Sequence, residues 1–346
     1  MVPIADPCAG VRDVALTDES RLLMSLHTLQ EPIPLDAIQA ARERIQGAAL
    51  RTPLVRLNMD DAPAEIYLKL ENLQPIGSFK LRGASNAMLL ASPEQLAHGV
   101  WTASAGNMAQ GVAWQARRML LACAVVGPDH APETKIAAIT RLGATFTPIP
   151  AADWFAILDA HSYPGMEGYF LHPFSDPDVI AGNGTIGLEI LEDLPDVDAI
   201  VIPYGGGGLS MGIGSAIRAL NPRIRLYAAE VETGAALAGA LSAGAPTEVT
   251  YTATFVDGIG SPRVFPEMWP LVSKVLDGAL VMPVDAVANA VRLLVERNRI
   301  VAEGAGATPV AAALAGKAGT GKVVCVISGG NIDDAKLAKI LLGQLP

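Results

Sequence analysis

Residues 75 to 84 read Pro-Ile-Gly-Ser-Phe-Lys-Leu-Arg-Gly-Ala. They follow an apolar run, Ile66 to Leu70, that predicts a strand, and they enter a segment that predicts a helix beginning near Ser78. At such a junction, backbone N–H groups and the amine of Lys80 can converge on one ligand. The alternative is a surface lysine whose stem packs beside a core phenylalanine while its amine stays in water. Three motifs further along the chain decide between these interpretations.

A second strand-to-helix junction lies at Ser104 to Gly111, which read Ser-Ala-Gly-Asn-Met-Ala-Gln-Gly. An apolar run, Val100 to Ala103, precedes it, and a helical pattern follows it. Small residues at this point let backbone amides approach a carboxylate or a ring oxygen, and the helix adds its positive end. Taken alone, such a sequence is usually only a turn.

Four consecutive glycines, Gly205 to Gly208, follow the strand predicted at Asp198 to Ile202 and precede another helix. Such a run costs backbone entropy that a simple turn would not require. Its N–H groups form a nest suited to a dianionic phosphate beside a helix N-terminus. The run is neither a Walker loop nor a dinucleotide fingerprint, because Gly-Lys-Ser/Thr is missing and the glycine spacing differs.

The last motif, Ser328-Gly329-Gly330-Asn331, ends the strand predicted at Val323 to Ile327. A hydroxyl on such a strand end can meet a heterocyclic nitrogen. A lysine able to bond an aldehyde carbon, a phosphate nest and this hydroxyl together indicate pyridoxal 5'-phosphate. In that chemistry the cofactor ring accepts electrons and the protein positions it.

In this order and at this spacing, the four motifs resemble those of the serine/threonine dehydratase and serine racemase family of fold-type II pyridoxal-phosphate enzymes. The resemblance extends from about Pro34 to Ile340. It implies an α/β fold like that of the tryptophan synthase β subunit, with two open, twisted, mostly parallel sheets flanked by helices. The alternation of strand-like and helix-like segments along the chain agrees with that fold.

The resemblance also implies a division of the chain. Residues 1–33 are expected to be an N-terminal extension, with one short helix around Glu19 to Leu26. Residues 34–97 and 172–346 are expected to form the large, cofactor-binding domain, and residues 98–171 the small domain inserted into it. The regulatory domain that some biosynthetic threonine dehydratases carry is expected to be missing.

Residue roles follow from the same resemblance. Lys80 is expected to bond the cofactor and then to act as the base on the substrate Cα proton. Phe79 is expected to pack on the ring, Asn107 to hydrogen-bond the ring hydroxyl, and Ser328 to face the pyridine nitrogen. Further expected cofactor contacts are Gly205, Gly206, Gly207, Gly208, Leu209 and Glu303. Expected substrate contacts are Ser104, which is also a candidate catalytic residue, Ala105, Gly106, Asn107, Met108, Ile76 and Ser261.

Ser328 predicts the type of reaction. A neutral hydroxyl, where an aspartate would keep the pyridine nitrogen protonated, leaves the ring a weaker electron sink. A carbanion at Cα then expels a β-hydroxyl more readily. The resemblance therefore implies a carbon-oxygen lyase that converts a β-hydroxy amino acid, such as threonine or serine, to a 2-keto acid and ammonia.

Other functions stay open at this stage. A racemase of this family needs a second acid/base on the opposite cofactor face, commonly a serine where this chain has Ala105. An alanine methyl group cannot transfer a proton, so a racemase is less favoured. A β-replacement synthase of the same fold and a non-catalytic binding protein for small molecules are the further alternatives.

Two departures from the family bear on the substrate. The family usually has histidine where this chain has Met108 and threonine where it has Ile76. The exchanges, together with Trp154 and Phe155, indicate a less polar site that would accept a bulkier substrate such as 3-phenylserine. The alternative is repacking without a change of specificity, since methionine fills irregular gaps.

No bound metal is expected. Glu230 matches one ligand of the family's cation site and Gly234 could offer a carbonyl, but Ala236 stands where a second acidic ligand is expected. A hard cation requires several oxygen ligands, preferably charged ones.

Composition limits the class of protein. Of the 346 residues, 51% are hydrophobic and 17% charged, which indicates a large buried core. A net charge of −10 argues against nucleic acid or an anionic membrane as a partner. The three cysteines and the absence of an export signal favour a cytoplasmic protein with reduced thiols. By resemblance, we expect a homodimer that binds a small amino-acid substrate.

Overall fold

The computed structural model describes residues 29–346. The helix expected around Glu19 to Leu26 lies outside the described residues. In chain order the strands are β1 Leu54–Arg56, β2 Glu65–Lys69, β3 Val100–Ala103, β4 Cys123–Pro128, β5 Thr145–Ile149, β6 Tyr169–Phe170, β7 Ala199–Pro203, β8 Arg225–Val231, β9 Gly278–Met282 and β10 Lys322–Val326.

Helices alternate with these strands. They are α1 Leu35–Arg44, α2 Lys80–Leu90, α3 Pro93–Leu96, α4 Asn107–Met119, α5 Glu133–Arg141, α6 Ala151–Ala160, α7 Pro177–Asp193, α8 Gly208–Leu220, α9 Ala236–Ala243, α10 Trp269–Val275, α11 Val284–Asn298, α12 Gly304–Leu314 and α13 Asp334–Leu341. Short 3₁₀ turns lie at Glu71–Leu73, Glu232–Gly234 and Pro266–Met268.

The larger sheet has the strand order β1-β2-β10-β7-β8-β9, and only β1 at its edge runs antiparallel to its neighbour. Its two central strands, β10 and β7, are almost entirely apolar and buried, as expected for strands covered by helices on both faces. Since β2, β10 and β7 are parallel neighbours, their carboxyl ends meet at one edge of the sheet, where ligands bind in such folds. The predicted α/β fold with two mostly parallel sheets is confirmed.

The smaller sheet has the order β5-β4-β3-β6, and all its strands are parallel. Its strands come from residues 100–170, between the segments that form the larger sheet. We retain the domain limits at 98 and 171 as a proposal. Residues 29–33 lie against the larger part of the molecule, where the N–H of Ile33 donates to the hydroxyl of Ser215 at 3.0 Å.

Most strand and helix limits lie within three residues of those expected from the sequence. The apolar run from Leu120 to Val126 also predicts a strand, but the strand begins only at Cys123. Leu120 closes α4 in a left-handed conformation, with φ of 57°, and its side chain is 93% exposed. A residue in that conformation cannot continue an extended strand.

A buried ionic cluster joins β2, α2 and α7. The guanidinium of Arg82 donates to both carboxylate oxygens of Glu71 at 2.8 Å and to Glu189 at 2.7 Å. Lys69 donates to the same Glu189 at 2.5 Å. Burial alone would raise the pKa of Glu71, but the charge and hydrogen bonds of Arg82 hold it below its ordinary value. The cluster therefore fixes the start of α2, two residues from Lys80.

Replacing Arg82 with leucine is expected to lower the free energy of unfolding by about 3–5 kcal/mol, because Glu71 and Glu189 would be left buried without their main counter-charge. Urea unfolding of the cofactor-free protein measures this change. The matched control is Arg42→Leu, which removes a partly exposed ion pair with Glu192, and the loss of this pair is expected to cost less than about 1 kcal/mol. Equal losses in the two variants would contradict this account of the cluster.

Candidate active site

The Lys80 loop and the Ser328 motif lie side by side at the carboxyl ends of β2 and β10. The N–H of Phe79 donates to the carbonyl of Ser328 at 3.0 Å, and the N–H of Gly330 donates to that of Gly77 at 2.9 Å. These two bonds form an isolated antiparallel bridge between Ser78 and Gly329, beyond the carboxyl ends of the parallel pair β2 and β10. Lys80 is the first residue of α2, so its side chain begins where the sheet edge and the helix meet.

The environment of Lys80 suits a nucleophile. Its Nζ donates to the carbonyl of Pro173 at 2.5 Å and lies 5.2 Å from the centre of the Phe79 ring. Burial lowers the pKa of this amine to about 8, against the opposing effect of the Glu303 carboxylate. The neutral amine, which is the form that bonds an aldehyde, is therefore accessible near neutral pH.

The glycine run lies at the adjacent end of β7 and leads into α8. A Cβ added to Gly206 would lie 2.3 Å from the Phe174 ring, and one added to Gly208 would lie 2.6 Å from the Phe174 carbonyl. Gly207 has φ of +93°, a conformation that favours glycine. Phe174 thus forms a floor under the loop, and the loop presents backbone rather than side chains, as a phosphate nest requires.

Two buried hydroxyls beside these loops support the fit of the expected cofactor. The Oγ atoms of Ser78 and Ser210 have no hydrogen-bond partner among residues 29–346. Ser78 precedes Lys80 by two residues, and Ser210, in the first turn of α8, follows the last glycine of the run by two residues. Unsatisfied buried hydroxyls are uncommon, and a polar ligand is one explanation for them. The residues present therefore fit a group with a phosphate and an aldehyde.

Asn107 connects the two halves of the site. This first residue of α4 donates from Nδ2 to Glu303 Oε1 at 2.8 Å and accepts at Oδ1 from Asn331 at 2.7 Å. Burial, and then the charge of Asp257, raise the pKa of Glu303 to about 7. Asn331 was part of a motif in the sequence, but its contact with Asn107 could not be read from that motif.

The loop before Asn107 lies partly exposed at the carboxyl end of β3. The hydroxyl of Ser104 accepts from the N–H of Gly106 at 3.1 Å, which leaves its hydrogen free to be donated. The methyl group of Ala105 lies beside Gly127, where an added Cβ would approach it to 3.1 Å. Backbone amides of this loop are available for a substrate carboxylate.

The other expected substrate residues lie in different environments. Met108 is 1% exposed and packs in an apolar cluster with residues of α2 and α4. Ile76 is also buried, and its carbonyl accepts from Asn331 at 2.8 Å. The hydroxyl of Ser261 donates to the carbonyl of Arg263 at 2.7 Å within its own turn. The burial of Met108 favours repacking over substrate contact.

Glu230 has a structural role. Its two carboxylate oxygens accept the N–H groups of Leu237 and Ala238, each at 2.8 Å, at the start of α9. Burial raises the pKa of this carboxyl group to about 7. The absence of a bound metal remains a prediction.

One group of metal-ligating type occurs among the described residues. Ligand atoms of His161, His172 and Glu267 lie within 4.8 Å of one another. However, Nδ1 of His172 accepts the N–H of Ser175 at 2.9 Å, which places the imidazole proton on Nε2. The His161 and His172 rings also stack at 4.5 Å, almost parallel. Parallel rings do not direct their nitrogens to one tetrahedral ion.

Some site residues could not be found from the sequence. The carbonyl of Pro173 and the ring of Phe174 gave only a weak signal, the string His172-Pro173-Phe174. Glu189 gave no signal in the sequence.

No helix of residues 29–346 has the length and apolar character needed to cross a membrane.

Comparison with known proteins agrees with this geometry. The family model described as pyridoxal-phosphate dependent enzyme matches residues 45–329. The chain is 40% identical to the L-threonine ammonia-lyase of Thermotoga maritima over 89% of this chain and 78% of that protein. It is 38% identical to the catabolic L-threonine dehydratase TdcB of Escherichia coli strain K12, over 90% and 97%.

Among solved structures, the serine racemase of maize superposes with a TM-score of 0.81 at 30% identity, over 90% of this chain and 98% of that one. The predicted cofactor, pyridoxal phosphate, is thereby confirmed, as is the prediction of a lyase. The chain belongs to the family of pyridoxal-phosphate dependent enzymes, among its lyases.

Proposed function

We propose that the protein dehydrates and deaminates L-threonine and L-serine, giving a 2-keto acid and ammonia. The observation that carries the proposal is Lys80, a half-buried residue whose amine has a lowered pKa and contacts the carbonyl of Pro173, next to the Phe174 that packs under the glycine run. Relatives named threonine ammonia-lyase and threonine dehydratase support the same reaction.

When bound, pyridoxal phosphate supplies the sink for the electrons of the Cα–H bond. The neutral amine of Lys80 takes the Cα proton, and its low pKa keeps it in the form that can do so. The backbone N–H groups of Gly205 to Gly208 hold the phosphate, and the loop from Ser104 to Gly106 holds the substrate carboxylate. The β-hydroxyl leaves as water by taking up a proton that balances the one Lys80 removes from Cα, and the enamine released becomes an imine, which water hydrolyses to the keto acid and ammonia.

Elimination rather than racemisation is favoured by Ala105. Inversion at Cα requires a proton donor on the face opposite Lys80, and a methyl group offers none. Ser104 is the nearest hydroxyl in sequence, but it lies one residue away from the position at which a racemase of this family carries its serine. We propose a lyase with little racemase activity.

Threonine is favoured over 3-phenylserine because Met108 packs in the interior of the small sheet and its helices. Its exchange for the usual histidine does not by itself enlarge the substrate site. Of the two exchanges, only the one at Ile76 would then make the substrate site less polar. The homodimer and the cytoplasmic location stay predictions.

The test is an assay of the cofactor-loaded protein with L-threonine, L-serine and L-threo-3-phenylserine. We expect equal amounts of keto acid and ammonia, with the highest kcat/KM for threonine or serine. A preference for phenylserine would overturn the substrate assignment, and Ile76→Thr would then be expected to reverse that preference.

Two other products would indicate the alternative functions. Formation of D-serine from L-serine would indicate a racemase. Formation of a thioether in the presence of added thiol would indicate a β-replacement synthase.

A further inference from the structure

Four segments of the chain are joined by a series of amide hydrogen bonds in the site. Asn331 donates from Nδ2 to the carbonyl of Ile76 at 2.8 Å and to Oδ1 of Asn107 at 2.7 Å. Asn107 donates in turn from Nδ2 to Oε1 of Glu303 at 2.8 Å. The segments precede α2, follow β10, begin α4 and precede α12.

The backbone carbonyl of Ile76 fixes the direction of this series. A carbonyl can only accept, so Asn331 must present its amide nitrogen, and both hydrogens of that nitrogen are used. Asn107 must then accept at Oδ1. If the amide of Asn107 were reversed, its nitrogen would face the nitrogen of Asn331 and its oxygen would face the carboxyl group of Glu303. The first contact would be repulsive, and the second would be repulsive whenever Glu303 is ionised.

One of the two hydrogens on Nδ2 of Asn107 has no acceptor in this series of bonds. Nδ2 carries two hydrogens, Glu303 accepts one, and no other residue in the described part of the chain accepts the second. The nitrogen lies beside Gly329, where an added Cβ would approach it to 3.2 Å and Glu303 to 2.6 Å. Gly329 and Asn331 belong to the Ser328 motif and Ile76 to the Lys80 loop, so this N–H lies beside the two loops that border the cofactor site.

We propose that Asn331 is a positioning residue that holds the amide of Asn107 in one orientation, so that the remaining N–H is donated to the phenolic oxygen of pyridoxal phosphate. The proposal rests on the cofactor of the family and is independent of which amino acid is the substrate. A donor at that oxygen stabilises its anionic form, and the oxygen then competes less for the proton on the nitrogen of Lys80.

The variant that tests it is Asn331→Asp, which keeps the shape of the side chain and removes both donors. The carboxylate can only accept, so the amide of Asn107 must turn and its oxygen replaces the N–H at the cofactor. We expect the Kd for pyridoxal phosphate to rise about tenfold, or about 1.4 kcal/mol. We also expect the midpoint pH at which the visible band near ~410 nm is lost to rise by about one unit.

Asn331→Ala separates orientation from mere loop support. Alanine removes more structure but does not force the amide of Asn107 to turn, so its midpoint is expected to shift less than that of Asn331→Asp. If Asn331 had a purely structural role, neither variant would alter the pH midpoint. The only difference would then be in urea unfolding, where alanine would lower the free energy of unfolding more than aspartate. That result would overturn the proposal.

The matched control is Asn298→Asp. Asn298 also donates to a backbone carbonyl, that of Arg56 at 3.0 Å, and accepts a backbone N–H, from Asn58. It lies outside the site, so its Kd for the cofactor and its midpoint are expected to match those of the unmodified protein. If Asn331→Asp does not fold, the alanine variant alone decides, since an unchanged midpoint there also contradicts the proposal. All these measurements precede any substrate, so a wrong substrate assignment leaves them unaffected.

Discussion

Replacing Lys80 with alanine is expected to lower kcat for threonine by at least about 10⁴-fold. The variant loses both the nitrogen that bonds the cofactor and the base that takes the Cα proton, and a positioned base alone contributes about 10²–10⁴-fold. Single-turnover production of keto acid measures the loss, and the visible absorbance of the cofactor is expected to disappear with it.

Lys274→Ala is the control for this experiment. Lys274 pairs with Glu31 at 2.5 Å on the surface, and its removal is expected to leave kcat unchanged. Circular dichroism should show that both variants fold. A Lys80→Ala protein that retained the visible band and more than a tenth of the activity would show that another amine bonds the cofactor.

Replacing Gly208 with alanine is expected to raise the Kd for pyridoxal phosphate at least about 100-fold. The new Cβ would lie 2.6 Å from the carbonyl oxygen of Phe174 and 2.8 Å from its Cα, so the backbone of the loop must shift. Charge-assisted hydrogen bonds from the loop to the phosphate are each worth about 1.5–3 kcal/mol, and losing one or two accounts for the effect. Titration of the cofactor-free protein, followed by absorbance, measures it.

The control is Gly278→Ala at the start of β9, where an added Cβ would meet only the ring of Tyr227 at 3.8 Å. That is an ordinary contact, so the affinity for the cofactor is expected to be unchanged. An unchanged Kd in Gly208→Ala would mean that the phosphate is held elsewhere.

The parts of the site that could be predicted are those in which local sequence requires a special backbone. The glycine run and the Lys80 loop were placed from their residues because few structures other than a tight, ligand-facing turn call for such sequences. The strand Val100–Ala103 was also placed without error, since a short apolar run before a glycine-containing turn has few alternatives.

The parts that could not be predicted depend on partners distant in sequence. Glu189 meets Lys69 across 120 positions, and no local pattern marks either residue as paired. Met108 illustrates the same limit. Its position in a motif suggested contact with a substrate, whereas the packing of α4 against α2 directs it into the interior. Motifs indicate where the backbone goes, and tertiary packing decides which way each side chain points.

The place of β10 in the larger sheet has a consequence for biosynthesis. This strand lies between β2 and β7, yet it is translated after both of them. Until residue 326 has left the ribosome, β2 and β7 each have an unpaired edge. The strand that joins the Lys80 loop to the glycine run is then still missing from the sheet. Exposed strand edges of this kind can pair with other chains, so the nascent chain is most prone to aggregation before β10 is available. The cofactor pocket therefore forms only after translation has passed β10, and cofactor capture cannot guide the earlier steps of folding.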